Sequence, residues 1–109
     1  MTKENKYYPF TISVTENTFS LLLTDLKWDA FEKSCFMGNG HDWNRLIKNL
    51  CLDKQPEIIQ NLEFDSEADM FCVRSQEEAS LAQIADIASS FYDDENLLLK
   101  KISKYAQYE

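Results

Sequence analysis

The chain has 109 residues with 11 basic and 19 acidic side chains, a formal net charge of −8. That length suits one domain, and a composition 44% hydrophobic and 13% aromatic supplies a core, which excludes a disordered chain. Only two Gly and two Pro exclude collagen-like and linker-rich architectures, and the acidic balance argues against direct nucleic-acid binding, which is driven by Lys and Arg displacing counterions from phosphates. The expectation is a single domain over residues 1–109, with residues 1–8 a frayed N-terminus.

Phe10, Ile12 and Val14 alternate with Thr11, Ser13 and Thr15, the period of a half-buried strand. Glu16-Asn17 can turn the chain, and Phe19, Leu21 and Leu23 alternate onward, predicting a β-hairpin. Residues 26–37 are ambiguous between helix, strand and loop. Trp28, Phe31 and Cys35 fall at helical spacing, but the segment is short and aromatic.

Gly38-Asn39-Gly40 breaks the chain, His41 reads as a turn residue before a helix, and Asp42 reads as its N-cap. Trp43, Leu46, Ile47, Leu50 and Cys51 then form one apolar helical stripe, ended or redirected at Pro56. Leu62–Asp65 and Met70–Val73 read as short strands around an acidic loop, Ser66-Glu67-Ala68-Asp69. Ser75 and Glu78 have the spacing of a capping box, and Leu81, Ile84, Ala85, Ala88 and Phe91 follow as a helical stripe. A last helix is predicted from near Asp93, with Asp93, Asp94 and Glu95 in its first turn, Lys100, Lys101 and Lys104 toward its end, and Leu98, Ile102 and Tyr105 facing the core. This order predicts an α+β domain with a mainly antiparallel sheet and about three helices.

The N-terminus carries no apolar signal core, and the longest aliphatic runs, Leu21-Leu22-Leu23 and Leu97-Leu98-Leu99, are far short of a membrane span. Cys35, Cys51 and Cys72 are odd in number, widely spaced and set in apolar patterns, which suggests buried reduced thiols and a cytoplasmic protein. Trp43 is most simply core, and Trp28 is read the same way. Tyr7, Tyr8, Tyr105 and Tyr108 lie near the chain ends, where they form either a contact surface or frayed termini.

Chemistry-bearing patterns are sparse. Asp65, Glu67 and Asp69 suggest a calcium loop, but the positions that need Gly and Glu hold Met70 and Gln76. His41 is the only histidine, no cysteine has a catalytic flank, and Gly38-Asn39-Gly40 lacks the rest of a phosphate loop. No catalytic residue, metal or cofactor is expected. The charge, however, is uneven. Residues 57–95 hold eleven acids against Arg74 alone, whereas residues 1–56 balance seven against seven. Helix first turns account for part of this excess. The loop acids are less easily explained, and so concentrated a charge attracts a cationic partner.

Gly40-His41-Asp42-Trp43-Asn44-Arg45-Leu46, together with Phe64-Asp65-Ser66-Glu67-Ala68-Asp69-Met70-Phe71-Cys72, resembles the immunity protein 51 family of bacterial polymorphic toxin and contact-dependent inhibition systems. The family shows a Gly-aromatic-x-Trp element opening a helix, and later a Phe-Asp-Pro-Glu stretch running into Met-Phe-Cys and two helical segments. Here His41 stands at the aromatic and Ser66 at the proline. The similarity covers roughly residues 38–102.

It implies a small cytosolic α+β protein that binds and blocks a cognate toxin without catalysis. A basic toxin, such as a nuclease, would meet the acidic surface. Asp65, Glu67, Asp69, Glu77, Glu78, Asp93, Asp94 and Glu95 are the expected partner-binding residues, while Trp43 and Phe71 maintain the fold. Three other readings remain open: an acidic adaptor or chaperone for a basic effector, a small carboxylate-dependent enzyme, and a nucleic-acid mimic. Oligomeric state is open too.

Overall fold

The first strand pair forms as the alternation predicts. In the computed structural model, which describes residues 7–106, β1 (Thr11–Thr15) and β2 (Thr18–Leu23) pair antiparallel around Glu16-Asn17, with Thr15 opposite Thr18 and Ile12 opposite Leu21. Glu16 takes a positive φ of 55°, the backbone state a two-residue hairpin turn requires. A short helix α1 (Trp28–Glu32) resolves the ambiguous 26–37 segment. Then come α2 (Gly40–Lys54), a 3-10 segment at Pro56–Asn61, β3 (Glu63–Phe64), β4 (Phe71–Ser75), α3 (Glu78–Ser89) and α4 (Glu95–Tyr105).

The four strands make one antiparallel sheet in the order β1-β2-β4-β3, packed against helices, so the α+β expectation holds. Beyond the three expected helices, α1 and the 3-10 segment bring the helical elements to five among the described residues. The 3-10 segment is where Pro56, lacking an N–H, redirects the chain leaving α2.

Leu21, Leu23, Phe71 and Val73 are buried where the sheet packs against α2 and α3, and α4 packs in turn on α2 and α1. Every apolar position predicted on those helices is buried: Trp43, Leu46, Ile47, Leu50 and Cys51 on α2, Leu81, Ile84, Ala85 and Ala88 on α3, and Leu98, Ile102 and Tyr105 on α4. Phe91, just past α3, is also fully buried.

Several local expectations are corrected. The α2 N-cap is Asn39, whose side chain accepts from the Asp42 N–H at 2.9 Å; Asp42 lies inside the first turn and is itself buried. Its carboxylate accepts the Gly38 N–H at 2.6 Å and pairs with Arg45. His41 is not a preceding turn residue but an exposed position within the helix. Ser75 does not form a capping box, because it is drawn into β4 opposite Phe19; its Oγ instead accepts the Glu77 N–H at 2.9 Å, and Glu77 takes the cap position of α3.

Cys35 is exposed in a turn at φ 69° rather than buried. Cys51 and Cys72 are buried as expected, and burial pushes the Cys51 thiol up to about 11 and raises Cys72 as well.

Of the eight residues expected to fray, 1–6 lie outside the described residues, as does Tyr108. Tyr7 is packed in the core with its phenol donating to Glu78, and Tyr8 donates to the Asp93 carboxylate at 2.8 Å and meets the Tyr92 ring edge-on.

Two tyrosines tie distant segments together: Tyr92 donates to the Asp25 carbonyl, and Tyr105 donates to the Asp53 carboxylate. Burial first, and then the carboxylate, pushes the Tyr105 phenol up to about 12; burial, followed by the Asp25 charge, raises Tyr92 further. Both raised values favour the neutral phenol in the folded state. In the unfolded chain tyrosine ionises near ~10. The stability these groups contribute is therefore fully present below about pH 10 and is lost as pH rises from there toward the folded-state values. Urea midpoints measured from pH 8 to 12 should stay level and then fall above about pH 10. A flat profile through pH 12 would contradict the burial account.

Candidate functional site

The eight acidic residues expected to bind a partner are divided by the fold. Asp93, Asp94 and Glu95 open α4, where Asp94 is the N-cap and accepts the Leu97 N–H at 3.2 Å. Asp93 and Glu95 turn toward α1. Asp93 lies 4.0 Å from the Lys27 ammonium, and Glu95 pairs with Lys33. With Asp25 and Asp29 they rim an open cleft of about 450 Å3, floored by Ala30, Tyr92 and Leu98.

Trp28 stands at the mouth of this cleft, 45% exposed. Its expected place in the core is thus corrected. Of the five residues of α1, only Ala30 and Phe31 reach the interior, and Trp28, at the first position, is left outside. The Lys27 ammonium sits 4.6 Å above the Tyr92 ring, so one cation already occupies the aromatic and acidic wall. Lys27 enters α1 at a left-handed backbone (φ 55°) with no side-chain cap, which is why the segment gave no helix-start signal.

Glu77 belongs to a different surface. It lines a second cleft of about 370 Å3 with Glu63 and Arg74. Arg74 bonds Asp65 at 2.5 Å and approaches Glu63 at 4.0 Å, so the one cation of the acidic stretch is committed to two of its carboxylates. Glu78 is drawn inward to Tyr7. Glu67 and Asp69 are exposed on the β3–β4 turn, which Glu67 and Met70 close by backbone bonds of 2.8 and 3.3 Å. That turn rests on the start of α2 through the Gly40 N–H to the Ala68 carbonyl at 2.9 Å. Ser66 accepts the Cys72 N–H at 3.0 Å and donates to Asn44 at 2.8 Å, tying the same loop to β4 and α2.

The cleft therefore combines two acids that the charge count singled out with two, Asp25 and Asp29, that it did not. Asp25 and Asp29 fall in the charge-balanced half of the chain, and a regional sum hides them. The local signal available was the run Asp25-Leu26-Lys27-Trp28-Asp29, an aromatic between two acids at the edge of an unassigned segment.

Among the described residues no group of three or more His, Cys, Asp or Glu side chains is placed to hold a metal ion, and no helix is long and apolar enough to cross a membrane. What the cleft presents is a half-exposed indole and four carboxylates in one lining, with the Lys27 ammonium among them, side chains suited to meeting cationic groups and burying an aromatic contact.

No curated protein and no solved structure matches the chain. The family model of immunity protein 51 matches residues 10–107, from the residue before β1 to just beyond α4, and takes in the cleft, the acidic turn and the whole sheet. With nearly its entire length matched, the chain belongs to the immunity protein 51 family.

Proposed function

We propose that this immunity protein neutralises a cognate toxin in the cytoplasm by docking the α1/α4 cleft onto a basic surface of the toxin, the substrate groove of a nuclease being the best fit. The observation that carries this reading is the half-exposed Trp28 lining one cleft with Asp25, Asp29, Asp93 and Glu95. Interfaces concentrate their energy in central aromatic anchors surrounded by polar rims, and carboxylates paired with Arg or Lys supply orientation and speed of encounter. Asp65, Glu67, Asp69, Glu77, Glu78 and Asp94 contribute to the long-range field that draws in a cationic partner. Inhibition follows from occupying the groove, so the immunity protein needs no chemistry of its own.

The test is co-expression with the toxin encoded beside it, scoring growth and complex formation together. Rescue of growth with a stable complex is expected. Trp28→Ala should leave the urea midpoint within about 0.5 kcal/mol of wild type, because the side chain is half exposed. It should weaken toxin binding by about 2 kcal/mol, roughly 30-fold. The pair Asp25→Asn and Asp29→Asn should slow association several-fold at low salt and much less at high salt. Failure of the wild-type chain to rescue growth would sink the immunity reading. Rescue and affinity untouched by Trp28→Ala would move the interface elsewhere, and a complex without toxicity would favour an adaptor.

A further inference from the structure

We propose that β1 is a docking edge for a second copy of this chain, paired antiparallel with itself about a two-fold axis at Ser13. β1 is the outermost strand of the sheet. In a hairpin with a two-residue turn the closing pair, here Thr15 and Thr18, exchanges both of its hydrogen bonds, and the pairs alternate from there. Thr11, Ser13 and Thr15 therefore bond to β2, and Ile12 and Val14 direct their amide and carbonyl groups outward. Among the described residues no backbone bond from a loop or cap reaches Ile12 or Val14.

Exposed edges are normally blunted by charge, proline, bulges or brevity. The opposite edge obeys this rule: β3 has two residues, one of them Glu63, and runs into Asp65, both near Arg74. β1 has five residues, no charge and no proline. Its sequence, Thr-Ile-Ser-Val-Thr, is matched in kind from either end. Antiparallel pairing centred on Ser13 sets Thr11 against Thr15 and Ile12 against Val14 of the second copy, all β-branched pairs. The outward-facing groups of Ile12 and Val14 then meet one another, and the two Ser13 residues form the close, non-hydrogen-bonded pair at the axis. Val14, 59% exposed, comes to lie beside Ile12 of the second copy.

The strand's match to its own reverse decides the occupant: turned about Ser13 it presents the same kinds of side chain, as an isologous contact requires. The net charge of −8 on each copy opposes association and keeps the pairing weak, and the uncharged edge keeps carboxylates from being apposed within it. In this register the nearest acid along the chain, Glu16, falls opposite Phe10. The contact is isologous and closed, and a five-residue pairing is small against the ~1,200 Å2 of a standard interface, so the dimer forms at micromolar to millimolar concentration.

The test uses the full chain with Cys35→Ser, which removes the exposed thiol. Ser13→Cys in that background should form an intermolecular disulfide under mild oxidation at least ten-fold faster than Thr15→Cys, because only position 13 faces itself. Adding Val14→Lys should bring the Ser13→Cys rate down to that of Thr15→Cys. These side chains are exposed, and circular dichroism checks that each variant is folded. Sedimentation equilibrium of the wild-type chain should show a mass rising with concentration from 12.8 kDa toward twice that value. Equal cross-linking rates at positions 13 and 15, or a monomer up to millimolar concentration, would overturn the proposal. A strand from another protein as the true occupant would give that second result.

Discussion

Replacing Gly40 with alanine should cost at least about 3 kcal/mol, a large part of the ~5–15 kcal/mol that holds a domain of this size together. Gly40 is the first residue of α2, and its backbone conformation is not the left-handed one that calls for glycine, so the reason for glycine is space. A Cβ built there would stand 1.9 Å from the Glu67 carbonyl oxygen, 2.4 Å from the Met70 oxygen and 2.7 Å from the Met70 carbonyl carbon. All three are backbone atoms, and none can rotate away as a side-chain tip would. The turn they belong to is closed by the Glu67 and Met70 bonds and leads directly into β4, whose Phe71 and Val73 are core. Relieving the overlap means lifting the turn by roughly 1 Å, which breaks the Gly40 N–H to Ala68 bond and pulls on the sheet.

Gly38 provides the control. It sits at φ 81°, where a Cβ would stand 3.0 Å from Phe31 Cβ and 3.1 Å from Trp28 Cα. Gly38→Ala pays for an unfavourable backbone and a tight fit, about 1–2 kcal/mol. Urea unfolding of the two variants measures the difference. A Gly40→Ala midpoint no lower than that of Gly38→Ala would mean that the turn is free to move off α2.

The same contact gives the family resemblance a physical basis. Gly40-His41-Asp42-Trp43 and the stretch around Asp65–Met70 touch at Gly40, and the glycine is the only residue that lets the acidic turn lie on the helix start.

What the sequence made legible follows the length of each element. α2 has fifteen residues, enough turns for Trp43, Leu46, Ile47, Leu50 and Cys51 to repeat one spacing and give the buried face unambiguously. The hairpin was legible from its alternation alone. α1 was not, because five residues make little more than one turn, it starts at a left-handed lysine, and its first side chain escapes the core. Ser75 and Glu78 had the right spacing for a cap, but the sheet outbid the helix for Ser75, since a strand position beside β2 satisfies its backbone and the helix can begin three residues later. The cleft was illegible for a different reason. Asp25 and Asp29 lie more than sixty residues from Asp93 and Glu95 along the chain, and only the packing of α1 against α4 brings the two pairs to one rim.

Trp43→Ala should destabilise the fold by about 3–5 kcal/mol, and Trp43→Phe by about 1–3 kcal/mol, for separable reasons. The indole is fully buried, with its ring 5.3 Å from Phe31 and 6.0 Å from Tyr92. Alanine removes these contacts and leaves a cavity between α1, α2 and the α3–α4 connection. Phenylalanine keeps most of the ring but deletes the Nε1–H, which donates to the Leu26 carbonyl at 2.6 Å across seventeen positions of sequence. Leu26 is itself buried and precedes Lys27, the left-handed residue that aims α1. Its carbonyl, once orphaned, has no water to turn to, and the segment that carries Asp25, Lys27, Trp28 and Asp29 loses the bond that pins it to α2. Trp43→Phe should therefore do more than lower the urea midpoint. It should weaken toxin binding by a larger factor than Leu46→Val, a core change on the same helix whose cost in stability is comparable. Equal losses of binding at equal stability would reduce Trp43 to a core residue with no hold on the cleft.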